Sequence, residues 1–384
     1  MKRIHLYEYD RRNREKIVDV ADRDGGLIYS WSNFSETGGR LAVRPGTPYI
    51  LVDVSSLFAN EDRLLNTLPY LDKIISFIIG LEKYEARLIT ERRFSSSAKD
   101  LLYFRIDEVV SLEEALHLED SRITDIVDLD SEEFKALCGK IDANLFGNRD
   151  LKEMFFDQLG RFRVFNRLGT QHIFSAFLYG HSGIGKTELG RLLTRFLAPG
   201  ERIIKINFGN YSGSNALNSL IGSPRGYVGS SKGELSEKLL NSRSSVIIID
   251  EFEKASREVH NFFLQLLEDG SFTDSLGRDY DLDKYIILFT SNLKENEIDT
   301  RLTPEFRSRL NMLCHVNDLS RAEKQAYLEF RTRDLLSRAA ELPEGSDIDR
   351  ITARTVRDVN VNDTNDLRVI NREIMKSLGS VLRY

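Results

Sequence analysis

One glycine-rich segment constrains the fold of this chain more than any other feature. Eight consecutive residues match the pattern GxxxxGK[ST]: Gly180, His181, Ser182, Gly183, Ile184, Gly185, Lys186 and Thr187. The apolar run before them predicts a strand that ends at Tyr179, and a helix is predicted from Glu188 onward. This strand–loop–helix context is the one in which the pattern binds phosphate, so we predict a parallel α/β sheet that presents the loop at one edge.

The residue types of this loop suit a nucleotide. Glycines allow backbone N–H groups to turn inward around phosphate oxygens, and the helix N-terminus adds a favourable dipole. We expect Lys186 to reach the β- and γ-phosphates and the Thr187 hydroxyl to hold Mg²⁺. His181 occupies a variable position of the pattern, so a spectator side chain is expected there. The loop therefore predicts binding of ATP with Mg²⁺.

Two further strand ends carry polar residues. The apolar run from Val246 to Ile249 ends in the acidic pair Asp250 and Glu251. In an open parallel sheet the ligand lies at the carboxyl ends of the strands, so this pair is expected beside the phosphates. Asp250 is predicted to orient Mg²⁺ and Glu251 to polarise the attacking water. Asn292 follows another apolar run, and its amide either holds the water or γ-phosphate or caps the next helix.

The order of strand and helix signals divides the chain into domains. From residue 131 onward, short apolar strands alternate with helices, which is typical of a parallel sheet covered on both faces. The predicted strands are 174–179, 203–208, 246–250, 285–290 and 312–316. We predict a small α/β domain over residues 1–118, an acidic and solvated linker over 119–133, a large nucleotide-binding domain over 131–318 and a small, mostly helical domain over 319–384.

The first 118 residues contain no chemical motif. Their predicted strands are 4–9, 49–54, 86–90 and 101–106, with a helix over 61–80 and a loop over 95–97. Trp31 and the pair Gly38-Gly39 are interpreted as packing and turn residues. We expect this domain to recruit a client or a partner protein.

Composition excludes several classes of protein. The net charge of −6 argues against a nucleic-acid binder, because phosphate backbones require a basic face. Cys138 and Cys314 lie far apart and form no CxxC spacing, so neither a disulfide framework nor a zinc site is predicted. The longest apolar run, 74–79, is too short to span a bilayer, and no signal peptide is recognised. We expect a cytoplasmic protein without membrane association.

Several further blocks, in order along residues 131–384, resemble the Clp unfoldase and disaggregase branch of the AAA+ ATPases. They are Leu145-Phe146-Gly147-Asn148-Arg149, Gly-Ser-Pro-Arg-Gly-Tyr-Val-Gly at 222–229, Asp-Glu-Phe-Glu-Lys-Ala at 250–255, the segment 266–278, and Thr-Pro-Glu-Phe-Arg-Ser-Arg-Leu at 303–310. The resemblance implies an AAA+ fold and ATP hydrolysis. It also implies that Leu145 and Phe146 pack on adenine.

The resemblance assigns a role in substrate handling to Tyr227 and Val228. It implies that they form a pore loop in which Tyr227 grips a polypeptide. The glycines that flank this pair favour a mobile turn, and an exposed aromatic ring can press on any polypeptide. A loop tyrosine packed on its own domain is the alternative.

The resemblance also implies that ATP hydrolysis depends on assembly. Thr303 as a cap and Pro304 at the first helical position predict a helix start, which places Arg309 on the first turns. The family role of Arg309 is to reach the γ-phosphate of a neighbouring subunit in a hexamer. A structural salt bridge is the alternative for Arg309, and more so for Arg307.

The chain departs from the family pattern in two places. Where the family has a Gly-Ala-Arg block facing the nucleotide, this chain has Asp363-Thr364-Asn365, so either Arg368 substitutes or nucleotide sensing is weaker. The segment between Asn292 and Pro304 is short and lacks the Ile-Gly-hydrophobic tripeptide of peptidase-coupled members. We therefore predict a homo-hexameric protein remodeller that threads polypeptides without the Clp peptidase. A nucleic-acid motor or loader and a nucleotide-switched scaffold are the alternatives.

Overall fold

The structure is a computed structural model of the 384-residue chain. It describes residues 3–30, 43–58, 64–80, 84–103, 105–118, 123–211, 216–223, 233–338, 347–361 and 364–381. The chain divides into two compact units, residues 1–120 and 121–384. Within the described ranges, no helix has the length and apolar character needed to cross a membrane.

The first unit is a parallel α/β sheet with helices on both faces. Its strands are β1 (Ile4–Tyr9), β2 (Leu27–Ser30), β3 (Tyr49–Asp53), β4 (Glu85–Glu91) and β5 (Ile106–Ser111), in the spatial order β2-β3-β4-β1-β5. Its helices are α1 (Arg14–Asp24), α2 (Leu64–Gly80), α3 (Ser95–Leu101) and α4 (Leu112–Ala115). Leu6 and Leu88 pack on one face, whereas Tyr9 and Ile89 pack on the other. This alternation follows from the two-residue period of a strand.

Two predictions for this unit are wrong. The expected loop at 95–97 is the start of α3, and the expected strand at 101–106 begins only at Ile106. The physical reason is that Ala98 and Leu102, four residues apart, lie on one helical face and are both buried. Helix α1 and strand β2 were not predicted. Trp31, Gly38 and Gly39 lie outside the described residues.

The second unit contains the predicted parallel sheet. Its strands are β6 (Phe174–Tyr179), β7 (Ile204–Asn207), β8 (Val246–Asp250), β11 (Ile286–Ser291) and β12 (Met312–His315), in the order β12-β6-β11-β8-β7. All four pairs are parallel. A short antiparallel hairpin joins β9 (Ser271–Thr273) and β10 (Asp279–Asp281). Every residue of β6 and β11 is buried, as expected for central strands covered on both faces.

Helices pack on this sheet, and three more helices come after its last strand in the sequence. Those of the sheet region are α5 (Ser131–Asn144), α6 (Arg149–Arg167), α7 (Lys186–Leu197), α8 (Ala216–Ile221), α9 (Glu234–Leu240), α10 (Arg257–Asp269), α11 (Ile298–Arg301) and α12 (Pro304–Ser308). The remaining helices are α13 (Arg321–Ser337), α14 (Ile348–Asp358) and α15 (Leu367–Val381). The last three share a small core around Leu328 and Ile374. The predicted helical C-terminal region is thus present.

The segment expected to be a solvated linker is packed over residues 124–130. Ile126 and Val127 are buried in the core of the second unit. The guanidinium of Arg163 donates hydrogen bonds to the carbonyl oxygens of Ile126, at 3.0 Å, and Asp130, at 3.1 Å. Arg167 donates in the same way to Val127, at 3.0 Å. The acidic residues dominate the composition here, but the apolar residues between them determine the packing.

Candidate nucleotide-binding site

A cleft of about 440 Å³ lies in the second unit, where the segments that follow β6, β8 and β11 meet. It is lined by most of the residues predicted from the sequence: Leu145, Phe146, Ser182, Gly183, Ile184, Gly185, Lys186, Thr187, Glu188, Asp250, Glu251, Asn292 and Arg368. Other lining residues were not predicted: Asn144, Arg191, Lys205, Tyr327, Phe330, Arg331, Leu367 and Asn371. The cleft therefore joins the end of the sheet to the C-terminal helices.

The phosphate loop has the backbone that its glycines permit. Gly180, Gly183 and Gly185 all have positive φ angles, of 140°, 79° and 100°. A side chain is strained in this region of backbone conformation. At Gly180 a Cβ atom would also come within 2.6 Å of the carbonyl oxygen of Val316. Helix α7 begins directly after Gly185, two residues earlier than predicted, so its N-terminal N–H groups adjoin the loop.

Lys186 is held at the centre of the cleft. Its ammonium donates hydrogen bonds to the carbonyl oxygens of Gly180, at 2.8 Å, and His181, at 2.5 Å, and to Oδ1 of Asn292, at 3.2 Å. Burial disfavours the charged form and lowers the pKa of Lys186 to about 8. Among the neighbouring charges, the Glu253 carboxylate opposes this shift most strongly. A cation so enclosed suits a multiply charged anion such as a triphosphate.

Asp250 is held as an anion at the end of β8. Its Oδ2 atom lies 2.6 Å from the Lys205 ammonium, and Thr290 donates a hydrogen bond to its Oδ1 atom. Burial alone would raise the pKa of Asp250, but the hydrogen bonds from Lys205 and Thr290 outweigh it and lower the pKa. Lys205 was missed in the sequence, where its signal is a lone cation within the apolar strand β7.

The chemistry of these groups fits Mg²⁺. The Asp250 carboxylate and the Thr187 hydroxyl are oxygen donors that line the same cleft. Mg²⁺ is usually bound by one or two such groups together with the phosphates of the nucleotide. Across the described ranges, His, Cys, Asp and Glu form no group of three or more that could hold a metal ion alone. A metal here would therefore bind together with the nucleotide.

Glu251 has a strained backbone. Its φ angle is 56°, in the left-handed region, and it precedes a single turn of 3₁₀ helix over Phe252–Lys254. Such a conformation in a residue with a side chain costs about 1–3 kcal/mol and is often found at functional sites. The Lys254 ammonium lies 2.5 Å from Oε2 of Glu251. The same carboxylate lies against Gly209, where a Cβ atom would overlap it.

The far end of the cleft is aromatic. The ring of Phe146 lies 5.5 Å from that of Tyr327 and 4.8 Å from that of Phe330, measured between centroids. The Tyr327 hydroxyl is hydrogen-bonded to the side chain of Asn371. Flat apolar rings with an amide at the edge suit a purine base. Tyr327 and Phe330 belong to α13 and are part of no motif, so they could not be predicted from the sequence.

Two C-terminal residues, Asn365 and Arg368, were considered in the sequence as possible contacts of the nucleotide. Arg368 lines the cleft, whereas Asn365 does not. Asn365 instead accepts a hydrogen bond from Lys324, at 2.5 Å, and donates one to Asp318, at 2.8 Å. His181 also contacts Asp318, at 3.0 Å, and does not line the cleft. Arg368 therefore faces the cleft, together with Arg331 of α13, whose guanidinium is hydrogen-bonded to Asp334.

Arg309 lies elsewhere on the second unit. It follows helix α12 as the C-terminal cap, rather than lying on the first turns as expected, because the helix is only five residues long. Thr303 does cap that helix by accepting a hydrogen bond from the amide of Phe306. The Arg309 guanidinium is half-exposed and lies 2.9 Å from Glu268, while Arg307 pairs with Asp299. Tyr227 and Val228 lie outside the described residues.

Comparison with known proteins finds a matching domain and similar proteins. Residues 171–333 match the family model of the AAA domain (Cdc48 subfamily). The chaperone protein ClpB of Malacoplasma penetrans strain HF-2 is 26% identical over 306 residues, which cover 76% of this chain and 43% of that protein. ClpB of Clostridium perfringens strain 13 is 30% identical over 242 residues, covering 57% of this chain and 28% of that protein. The chain thus spans less than half the length of these relatives.

Solved structures support the same fold. A closed-state cryo-EM reconstruction of Hsp104 with ATPγS and FITC casein has a TM-score of 0.54 and 17% identity, covering 99% of this chain and 88% of that one. An extended Saccharomyces cerevisiae Hsp104–casein complex has a TM-score of 0.56 and 16% identity, with the same coverage. The family model places an AAA domain at residues 171–333, the region that holds the phosphate loop and the parallel sheet, and this region is similar to the ClpB chaperones of the Clp disaggregase branch.

Proposed function

We propose that this protein hydrolyses ATP with Mg²⁺ and uses the energy to remodel other proteins. The observation that carries this proposal is the meeting of Lys186, Asp250, Glu251 and Asn292 around one cleft. A cation, a metal-binding carboxylate, a second carboxylate and an amide are the groups that phosphoryl transfer to water requires.

Each group has a distinct role in this proposal. Lys186 and the loop amides bind the β- and γ-phosphates, and Arg368 adds positive charge from the C-terminal helices. Thr187 and Asp250 hold Mg²⁺, which neutralises charge on the phosphates when it is bound. Glu251 accepts a proton from the attacking water, assisted by Asn292. Leu145 and Phe146, with Tyr327 and Phe330, hold the adenine ring.

We further propose that the working form is a homo-hexamer with a central pore. Arg309 does not line the cleft of its own subunit and is half-exposed, as expected for a residue that acts on a neighbour's γ-phosphate. The relatives named as ClpB chaperones and the Hsp104 structures with casein support a polypeptide client. Tyr227 and Val228 would grip that client. Residues 1–118 would recruit it or a partner, in the cytoplasm and without the Clp peptidase.

The test measures ATP hydrolysis and client unfolding in the same samples. The parent should hydrolyse ATP and unfold labelled casein, and Glu251→Gln should bind ATP while hydrolysing it at least tenfold more slowly. Lys186→Ala should lose nucleotide binding. Glu258→Gln, which changes an exposed carboxylate on α10, is the matched control and should behave as the parent.

Three results would contradict the proposal. Equal hydrolysis by Glu251→Gln and the parent would remove Glu251 from the reaction. Hydrolysis that DNA stimulates and casein does not would favour a nucleic-acid motor. Nucleotide binding with negligible turnover in the parent would favour a scaffold whose conformation the nucleotide switches.

A further inference from the structure

Three side chains form a continuous chain of contacts that begins at Lys186 and Asn292 in the cleft and ends at Glu253 beside it. Lys186 donates to Oδ1 of Asn292, at 3.2 Å, and Nδ2 of Asn292 donates to Oε1 of Glu253, at 3.4 Å. The backbone N–H of Asn292 donates to the same Glu253 oxygen, at 3.3 Å. Glu253 therefore contacts both the backbone and the side chain of one residue that we assign to the reaction.

The charges of Glu253 and Lys186 fix the orientation of the Asn292 amide that lies between them. A carboxylate only accepts hydrogen bonds, and an ammonium only donates them. The Asn292 atom that faces Glu253 must therefore be the NH₂ group, and the atom that faces Lys186 must be the oxygen. The opposite orientation would set oxygen against carboxylate and NH₂ against ammonium. Both contacts would then be repulsive.

The second oxygen of the Glu253 carboxylate also points to a functional role. Oε2 is buried and has no hydrogen-bond partner in the described part of the chain. Buried polar atoms are nearly always paired, and the exceptions are often found where a group serves catalysis. Glu253 lies on the 3₁₀ turn that begins immediately after Glu251, so one short segment carries both carboxylates.

We propose that Glu253 is a positioning residue for ATP hydrolysis, which fixes Asn292 so that its oxygen Oδ1, and not its NH₂ group, faces the phosphates. This inference rests on the proposed function. When Lys186 turns to the phosphates, Oδ1 is left as an acceptor for one O–H of the attacking water, and Glu251 accepts the other. The water oxygen then bonds to the γ-phosphorus, the bond from that phosphorus to the bridging oxygen breaks, and the proton passes to Glu251.

The kinetic experiment compares Glu253→Gln, Glu253→Ala, Asn292→Ala and the double variant Glu253→Ala/Asn292→Ala. A Gln side chain can present either NH₂ or oxygen, so it no longer fixes the amide. We expect Glu253→Gln to lower kcat at least tenfold and to change KM less than threefold. Because both residues act through one amide, the double variant should be no slower than Asn292→Ala alone. Glu253→Asp keeps the carboxylate and should retain more activity than Glu253→Gln.

A second readout needs no nucleotide. In protein labelled with ¹⁵N-asparagine, the side-chain amide resonance of Asn292 is identified by its loss in Asn292→Ala. This resonance should shift in Glu253→Gln and remain unchanged in Glu258→Gln. Melting temperatures of all variants separate an effect on the site from a loss of folding.

The outcomes distinguish this inference from the proposed function. An inactive parent would defeat the proposed function, and with it the catalytic role of Glu253. With an active parent, unchanged kcat in Glu253→Gln, multiplicative losses in the double variant or an unmoved Asn292 resonance would each overturn the inference alone.

Discussion

The carboxylate of Asp366 lies against the backbone of Gly183, in the middle of the phosphate loop. A Cβ atom at position 183 would overlap this carboxylate. The contact is reinforced by the amide of Leu367, which donates to the carbonyl oxygen of Gly183 at 3.1 Å. The C-terminal helices therefore place a negative charge on the loop that we assign to nucleotide phosphates. Such a charge opposes a second anion nearby.

Asp366→Asn should increase nucleotide affinity. The substitution removes the charge, while an Asn oxygen can still accept the hydrogen bond that the amide of Arg368 donates to Asp366 Oδ1, at 2.8 Å. We expect ADP to bind about 3- to 10-fold more tightly, or roughly 0.6–1.4 kcal/mol, at low salt. Isothermal titration calorimetry measures this change, with Asp157→Asn on the exposed face of α6 as the control. Unchanged or weaker binding would show that the charge of Asp366 does not reach the phosphates.

Nucleotide affinity should fall as pH rises above about 8. Burial places the pKa of Lys186 near 8 in the nucleotide-free protein, and only the ammonium form binds phosphate well. Below about pH 7 the group is almost fully charged and affinity is nearly constant, whereas between pH 7 and pH 9 the affinity should drop by roughly tenfold. Titrations with a fluorescent nucleotide at pH 7, 8 and 9 test this. A flat profile in the parent, or the same slope in Lys186→Met, would exclude Lys186 as the titrating group.

Gly190→Ala should destabilise the second unit. Gly190 lies on α7 where it packs on the sheet, and a Cβ atom there would come within 2.6 Å of Cγ1 of Ile248. Overpacking of this kind costs about 1–3 kcal/mol. Gly139→Ala on α5 is the matched control, because its Cβ atom would meet nothing within 4 Å, and it should stabilise the helix by up to about 1 kcal/mol. Urea unfolding of both variants gives the comparison.

Tyr227→Ala should spare ATP hydrolysis and abolish client unfolding. This prediction rests on the sequence, in which Tyr227 lies about twenty residues before the strand that carries Asp250. Loss of the ring removes about 1–3 kcal/mol of apolar contact with a polypeptide in each subunit. ATPase rate, melting temperature and casein unfolding are measured together. Normal unfolding by the variant would contradict threading, and a joint fall in melting temperature and ATPase rate would identify a packing residue.

The sequence predicted the residues whose position along a strand determines their place in space. Asp250 and Asn292 each follow an apolar run, and parallel strands bring their carboxyl ends to one edge, so both were expected beside Lys186. Their neighbours could not be predicted in this way. Glu253 contacts Asn292 from the 3₁₀ turn that follows the left-handed backbone of Glu251, and no local pattern indicates that backbone.

Residues that approach from distant parts of the chain were also missed. Tyr327, Phe330 and Asp366 come from the C-terminal region, and only the packing of α13 and α15 brings the first two to the cleft and Asp366 to Gly183. The residues next to them in the sequence predict helices but do not indicate a role in the site. Composition also misled the prediction of the linker, because the segment is rich in acidic residues but three apolar residues in it, Ile126, Val127 and Leu129, enter the core.

The contacts of Arg163 and Arg167 determine where the ATPase domain can be cut from the rest of the chain. A fragment that starts at residue 131, the boundary expected from composition, deprives two guanidinium groups of four carbonyl acceptors and opens the core where Ile126 and Val127 lay. A fragment that starts at residue 121 keeps all of them. The shorter fragment should be recovered mainly as aggregate and the longer one as soluble protein, because these ten residues supply the carbonyl acceptors of the buried Arg163 and of Arg167 together with part of the core.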